Sequence, residues 1–192
     1  QSSGPLGLMH LISDCVQYGT IPFAILARHG FIARSLLVSL LNCGVLESAD
    51  VAHIQGSTRT VASELVEQIS LLQRGQLASD DFMARFGHLR PGTYDILSPR
   101  YDDLESFGQG AAVTQNTQVA SSPTEKFDLT AQQRHGIDNL LQHASFYDMD
   151  SSKLLTYIRE AIAGREYGKF VFTRSVSAML ELIAAFGERN GL

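Results

Sequence analysis

The sequence predicts an all-α fold: a bundle of about five or six helices with one long irregular loop after the third. Three observations lead there. Apolar residues recur at three- and four-residue steps through most of the chain, helix start and stop signals fall at the ends of those periodic runs, and no strand-like alternation exceeds a few residues. With 192 residues and 44% hydrophobic residues, the chain is long enough to bury a core and reads as one domain.

The first residues, Gln1 to Gly7, lack a basic region and resemble a protease-cleaved expression linker. They are set aside, leaving residues 8–192 as the helical domain, read as a piece of something longer. Thr20 before Pro22 is a helix start, since threonine caps free N–H groups and proline fits the first turn. The helix runs to Cys43 and stops at Gly44. Its many apolar positions, Leu26, Phe31, Leu36, Leu37, Leu40 and Leu41, predict a central helix packed on more than one side. Ser48 opens a second helix, Ala49 to about Arg74, an antiparallel neighbour ended by Gly75. A third, short helix follows Ser79, with Asp80 and Asp81 in its first turn and Phe82, Met83 and Phe86 on its apolar face.

From Gly87 to Asp128 the helical period is lost, which is long for a connection in a compact domain. Gly87 to Tyr101 is expected to be ordered, and the Gly, Ala, Ser, Thr and Gln run within 104–127 to be a flexible loop. Thr130-Ala131-Gln132-Gln133 matches a capping box and opens a helix to about Phe146. Asp150 or Ser151 starts the last and longest helix, carried to Gly187 by Leu154, Ile158, Ile162, Val176, Leu180 and Ile183.

Composition narrows function. Fifteen basic against twenty acidic residues give a net charge of −5, with no basic cluster for nucleic acid. Charged residues are only 18% of the chain, so part of the surface is expected to meet a partner. Cys15 and Cys43 form no CxxC or Cys/His cluster, which fits a reducing, cytoplasmic compartment. The most apolar stretch, Ile21 to Leu41, contains Arg28, His29 and Arg34; a central charge costs about 2.5–3.5 kcal/mol on insertion, so no membrane span is expected. Gly164 to Phe170, G-R-E-Y-G-K-F, falls short of a phosphate-cradling loop and its magnesium-binding hydroxyl. His135 and His143 stand two turns apart without HExxH, so no metal site is expected.

Two segments carry chemistry. In Gly87-His88-Leu89-Arg90-Pro91-Gly92-Thr93-Tyr94-Asp95, Pro91 holds Arg90 extended and Pro-Gly favours a type II turn, with Gly92 at positive φ. His88 and Arg90 then point the same way and suit a carboxylate or phosphate. A purely structural loop, with Arg90 paired to Asp95 and His88 capping a helix end, is the alternative. In Arg165-Glu166-Tyr167-Gly168-Lys169 the two cations are one helical turn apart, a small repulsion relieved if an anion lies between them. Glu166 would then accept a proton from an attacking nucleophile, or, more plainly, neutralise Lys169. Arg28 and Arg34, in the apolar helix, must snorkel, pair or face a polar cleft.

Phe82 to Ile96 with Ser98-Pro99-Arg100-Tyr101 resembles the "F-x-x-x-Y-G-H-R…D…P-R-W/Y" stretch of phosphotransferases like phosphoenolpyruvate synthase and pyruvate phosphate dikinase. Arg165-Glu166-x-x-Lys169 is similar to the downstream R-E-x-x-K helix of that family. Pro22-Phe23-Ala24-x-x-Ala27-Arg28 is similar to members that phosphorylate small acceptors, such as antibiotic phosphotransferases and glutamine kinases. The likeness covers most of the chain after about residue 20, in order.

The resemblance implies a central helical domain between an ATP-grasp domain and a swivelling phosphohistidine domain, binding a small-molecule phosphoryl acceptor. The chain lacks the glycine loop and the histidine-bearing segment of those two domains, so ATP and magnesium belong to them and this piece alone is not expected to turn over. On that reading Arg165 and Lys169 hold the transferring phosphoryl group and Glu166 orients or deprotonates the acceptor. His88, Arg90, Arg100 and Arg28 are then the substrate-binding candidates, with His88, Arg90 and Arg100 shaping the pocket or bracing it. Such positioning is most of what phosphoryl transfer asks of a protein. A non-catalytic all-α docking domain is the rival expectation.

Overall fold

The computed structural model describes residues 5–104 and 126–191. All regular structure among them is helical: α1 (Pro5–Asp14), α2 (Ile21–Asn42), α3 (Ser48–Ser57), α4 (Val61–Gln73), α5 (Ser79–Phe86), a single 3-10 turn (Tyr101–Asp103), α6 (Ala131–His143) and α7 (Ser151–Arg189). A π-helical segment, Cys15–Thr20, joins α1 to α2 without a break, so the described residues form six helical runs. The all-α class is as the sequence predicts.

The described residues sort into two compact units, one within 5–24, 61–104 and 168–191, the other within 25–60 and 126–167. Each has its own core. In the second unit Ala33, Leu37, Ile54 and Ile158 are at most 1% exposed, and Leu129, Ile137 and Leu154 pack among them. In the first, Ile69, Phe82 and Phe86 form the buried centre, flanked by Leu65, Leu72, Leu89 and Phe170.

Helix ends follow local chemistry. Gly44 (φ +69) and Gly75 (φ +67) are left-handed, and the bonds Val45 N–H to Leu40 O (3.0 Å) and Gln76 N–H to Leu71 O (2.9 Å) close a Schellman turn at each. The predicted capping box stands at α6, where Gln133 N–H donates to Thr130 Oγ1 (3.2 Å) and Thr130 N–H to Gln133 Oε1 (2.9 Å).

Three expectations about helices are corrected, and two further ones concern the first residues and the long loop. The single helix 49–74 is two, because Thr58 turns extended (ψ 116) and its hydroxyl donates to Ile54 O at 2.7 Å, diverting the backbone in a Ser-Thr-Arg-Thr run. The helix expected to reach Phe146 ends at His143, since Ser145 takes φ 65 and Phe146 N–H returns to Leu141 O, the same turn without glycine. Residues 5–7, set aside as a linker, form the first turn of α1. That helix leads into the π segment, where a Cβ on Gly19 would lie 2.7 Å from Phe172 Cβ, and where the Phe23 and Phe172 rings meet at 5.0 Å. The expected flexible loop 104–127 lies outside the described residues except at its ends, of which Phe127 is 6% exposed and part of the second unit's core.

The remaining helix expectation concerns α2. Only Gly30, Ala33, Leu37 and Leu40 of it are buried, while Ile21, Ile25, Phe31, Ile32 and Val38 are exposed, Phe31 at 63%. Leu6, Met9 and Tyr18 upstream are also exposed. The run Leu6–Asn42 and α7 are each long and apolar enough, by length and composition, to cross a membrane, where the sequence alone suggested none.

Candidate functional site

Within the first unit the segment 87–104 is a strap that lies on α7. Its two arms pair through Tyr101 N–H to Leu89 O (2.9 Å) and Asp102 N–H to Gly87 O (3.2 Å). The turn between them closes by Asp95 N–H to Gly92 O (2.7 Å). Gly92 is not at positive φ, so the expected type II turn is absent. The glycine serves close approach instead: a Cβ there would lie 3.1 Å from Asp95 Cβ and 3.3 Å from Ser98 Cβ. Its N–H donates to Ser98 Oγ at 3.0 Å.

His88 and Arg90 do face the same way, onto α7. Arg90 is 9% exposed; its Nε donates to Ser177 Oγ (3.2 Å), one Nη donates to the Ser98 carbonyl, and the other lies 3.5 Å from Glu181 Oε1. Arg100 pairs with the same Glu181 and with Asp102. Burial pulls the Arg100 pKa down, but Glu181 and Asp102 more than offset it and hold it above the ordinary guanidinium value. The Arg90–Asp95 pair of the structural alternative does not form; Asp95 Oδ1 accepts from Leu97 N–H (2.9 Å). Glu181, the acid that organises both arginines, was missed in the sequence: nothing local links it to partners 81 and 91 positions earlier.

His88 is 7% exposed, its ring edge-on to Phe170 at 4.9 Å, and its Nε2 has no hydrogen-bond partner. Burial first, then the nearby Arg174 and Arg100 charges, lower its pKa from 6.5 to about 4, against a hydrogen bond to the Phe170 backbone and the Asp102 charge. In the unfolded chain the imidazole protonates near its ordinary value, so the unfolded state binds more protons between those limits. Stability is full above pH 6.5 and falls as the pH drops toward 4. At pH 5 the loss is about 2 kcal/mol. Urea unfolding at pH 7.5 and pH 5 is expected to show that difference in the native chain and to lose it in His88→Gln; an unchanged pH slope in the variant would refute the buried neutral imidazole.

The R-E-x-x-K residues fall on α7, Arg165 and Glu166 within the second unit and Lys169 within the first. Arg165 and Lys169 are exposed and Glu166 half-buried. The acid's contact is with Arg165, Nε to Oε1 at 3.9 Å, too long for a hydrogen bond. The Arg165 guanidinium lies 5.9 Å from the centroid of the Phe31 ring on α2. Arg28, also on α2 in the second unit, is exposed. The same unit holds a His–Tyr pair unnoticed in the sequence, His29 Nδ1 to Tyr157 Oη at 2.9 Å. Among the described residues no group of three or more His, Cys, Asp or Glu side chains is placed to hold a metal ion.

Compared with protein-family models, curated proteins and solved structures, the chain matches none.

Proposed function

We propose that this chain is the acceptor-binding helical domain of an ATP-dependent, histidine-relay phosphotransferase of the phosphoenolpyruvate-synthase-like type. The carrying observation is Arg165: an exposed guanidinium stacked on Phe31, with its nearest carboxylate 3.9 Å away. A cation so placed retains donors for a phosphoryl oxygen. Glu166, the next residue on α7, orients the acceptor. His88, Arg90 and Arg100 act as braces, since each is spent on α7 or on the strap itself. ATP and magnesium are held by other domains of the same polypeptide, in the cytoplasm, and those domains cover the apolar side chains exposed on α1 and α2.

The test is thermal unfolding with inorganic phosphate, then with pyruvate, amino acids, sugars and antibiotics as acceptor candidates. A ligand that binds only the folded chain stabilises it by about 2.7 kcal/mol at a hundred times its Kd. Phosphate is expected to raise the melting temperature, and Arg165→Ala to remove the rise. Stoichiometric ATP binding to this chain alone, or a rise that survives that substitution, would refute the reading. A second reading, a non-catalytic docking domain, is favoured by exposed Leu6, Met9, Ile12 and Phe31, and it predicts no phosphate response.

A further inference from the structure

We infer that Gly30 is a positioning residue for Arg165, an inference that rests on the phosphate-binding role proposed above. Gly30 sits on the buried face of α2, inside the second unit, where nothing in its backbone demands glycine: it lies mid-helix and φ is not positive. A helix interior disfavours glycine, so its presence there calls for a packing reason. The reason is the arginine stem. A Cβ on Gly30 would lie 2.9 Å from Arg165 Cδ and 3.4 Å from Arg165 Cβ, whereas the next neighbour, Ala161 O, is 3.7 Å away and in ordinary contact.

Gly30 therefore opens a groove one methyl group deep in which the Arg165 side chain crosses α2. The next residue, Phe31, supplies the ring beneath the guanidinium, and Glu166 stands beside its Nε. Three neighbours thus surround the arginine: a missing Cβ leaves room for its stem, a ring lies under its Cζ, and a carboxylate oxygen stands 3.9 Å from its Nε. The side chain is 47% exposed, so its guanidinium is within reach of a phosphoryl group from solvent. Because the atom displaced by an added methyl belongs to a flexible side chain, Gly30→Ala moves the arginine and spares the fold.

Gly30→Ala is thus expected to separate folding from binding. The Arg165 Nε–H resonance, assigned by its loss in Arg165→Lys, reports the side chain directly, and inorganic phosphate is the probe. In the native chain the resonance carries a ring-current shift from Phe31 and moves on phosphate titration. In Gly30→Ala the ring-current shift is expected to vanish and phosphate to bind at least tenfold more weakly. The melting temperature should not fall, alanine being the better helix former. Phe31→Leu, which keeps the groove, should remove the ring-current shift and weaken phosphate by about two- to fivefold; a misfolded alanine variant would overturn the inference, because the added methyl then displaces more than the arginine. Should Gly30→Ala keep both the ring-current shift and native phosphate affinity, the inference falls while the phosphotransferase reading stands. Should the native resonance ignore phosphate, both fall.

Discussion

Phe86→Ala is expected to destabilise the first unit by about 3–5 kcal/mol, the usual range for deleting a buried phenyl ring. Phe86 is 0% exposed and meets Phe82 at 5.3 Å and Phe170 at 5.6 Å between ring centroids. Those contacts join α5 to α7, with the strap beginning one residue later at Gly87. The helices cannot close the space by collapsing, because the strap is already pinned to α7 through Ser177 and Glu181. Urea unfolding followed by circular dichroism measures the loss. A change under 1 kcal/mol would mean that the aromatic cluster is not the core of this unit.

Arg90→Met is expected to cost about 2–4 kcal/mol, mainly by leaving one buried and one part-buried acceptor without a donor. Methionine keeps much of the stem's volume, so little of the loss is cavity. Glu181 is not stranded, since Arg100 still pairs with it and its side chain is 40% exposed. The Ser98 carbonyl and the Ser177 hydroxyl, the latter 3% exposed, are what suffer. Below its melting temperature the variant should bind phosphate with native affinity, because the guanidinium braces the strap and touches no ligand. Native stability with lost affinity would reverse that assignment.

The helix ends were legible wherever a residue's own chemistry decides the backbone. Gly44, Gly75 and the Thr130/Gln133 box are such places, each a local event within six residues. Ser145 does the same work as those glycines, and nothing in its side chain announces it. The break at Thr58 was hidden because the apolar period of Val61, Leu65 and Ile69 invites extension backward, while a single hydroxyl bond to Ile54 ends α3. The exposure of α2 was illegible for a different reason. An apolar residue shows that it could be buried, but not that another element arrives to cover it.

At the site, side-chain direction was legible and partnership was not. Spacing of two correctly aimed His88 and Arg90 to one side. Their partners, Phe170, Ser177 and Glu181, lie 82 to 91 positions on, and the contacts with them separate bracing from binding. Glycine at position 30 is a visible anomaly in an apolar helix, yet only the crossing of Arg165 gives it a meaning.

The apolar side chains that α1 and α2 keep in water have a calorimetric consequence. Unfolding ordinarily raises the heat capacity by about 12–15 cal/mol/K per residue, because it hydrates apolar surface that the fold had kept dry. Leu6, Met9 and Phe31 are largely hydrated already, so they add little to that increment. The stability of this chain should therefore vary with temperature along a flatter curve than its length implies. Whatever comes to lie on those side chains will register as a negative heat-capacity change of binding, readable from enthalpies at two temperatures without knowing what it is.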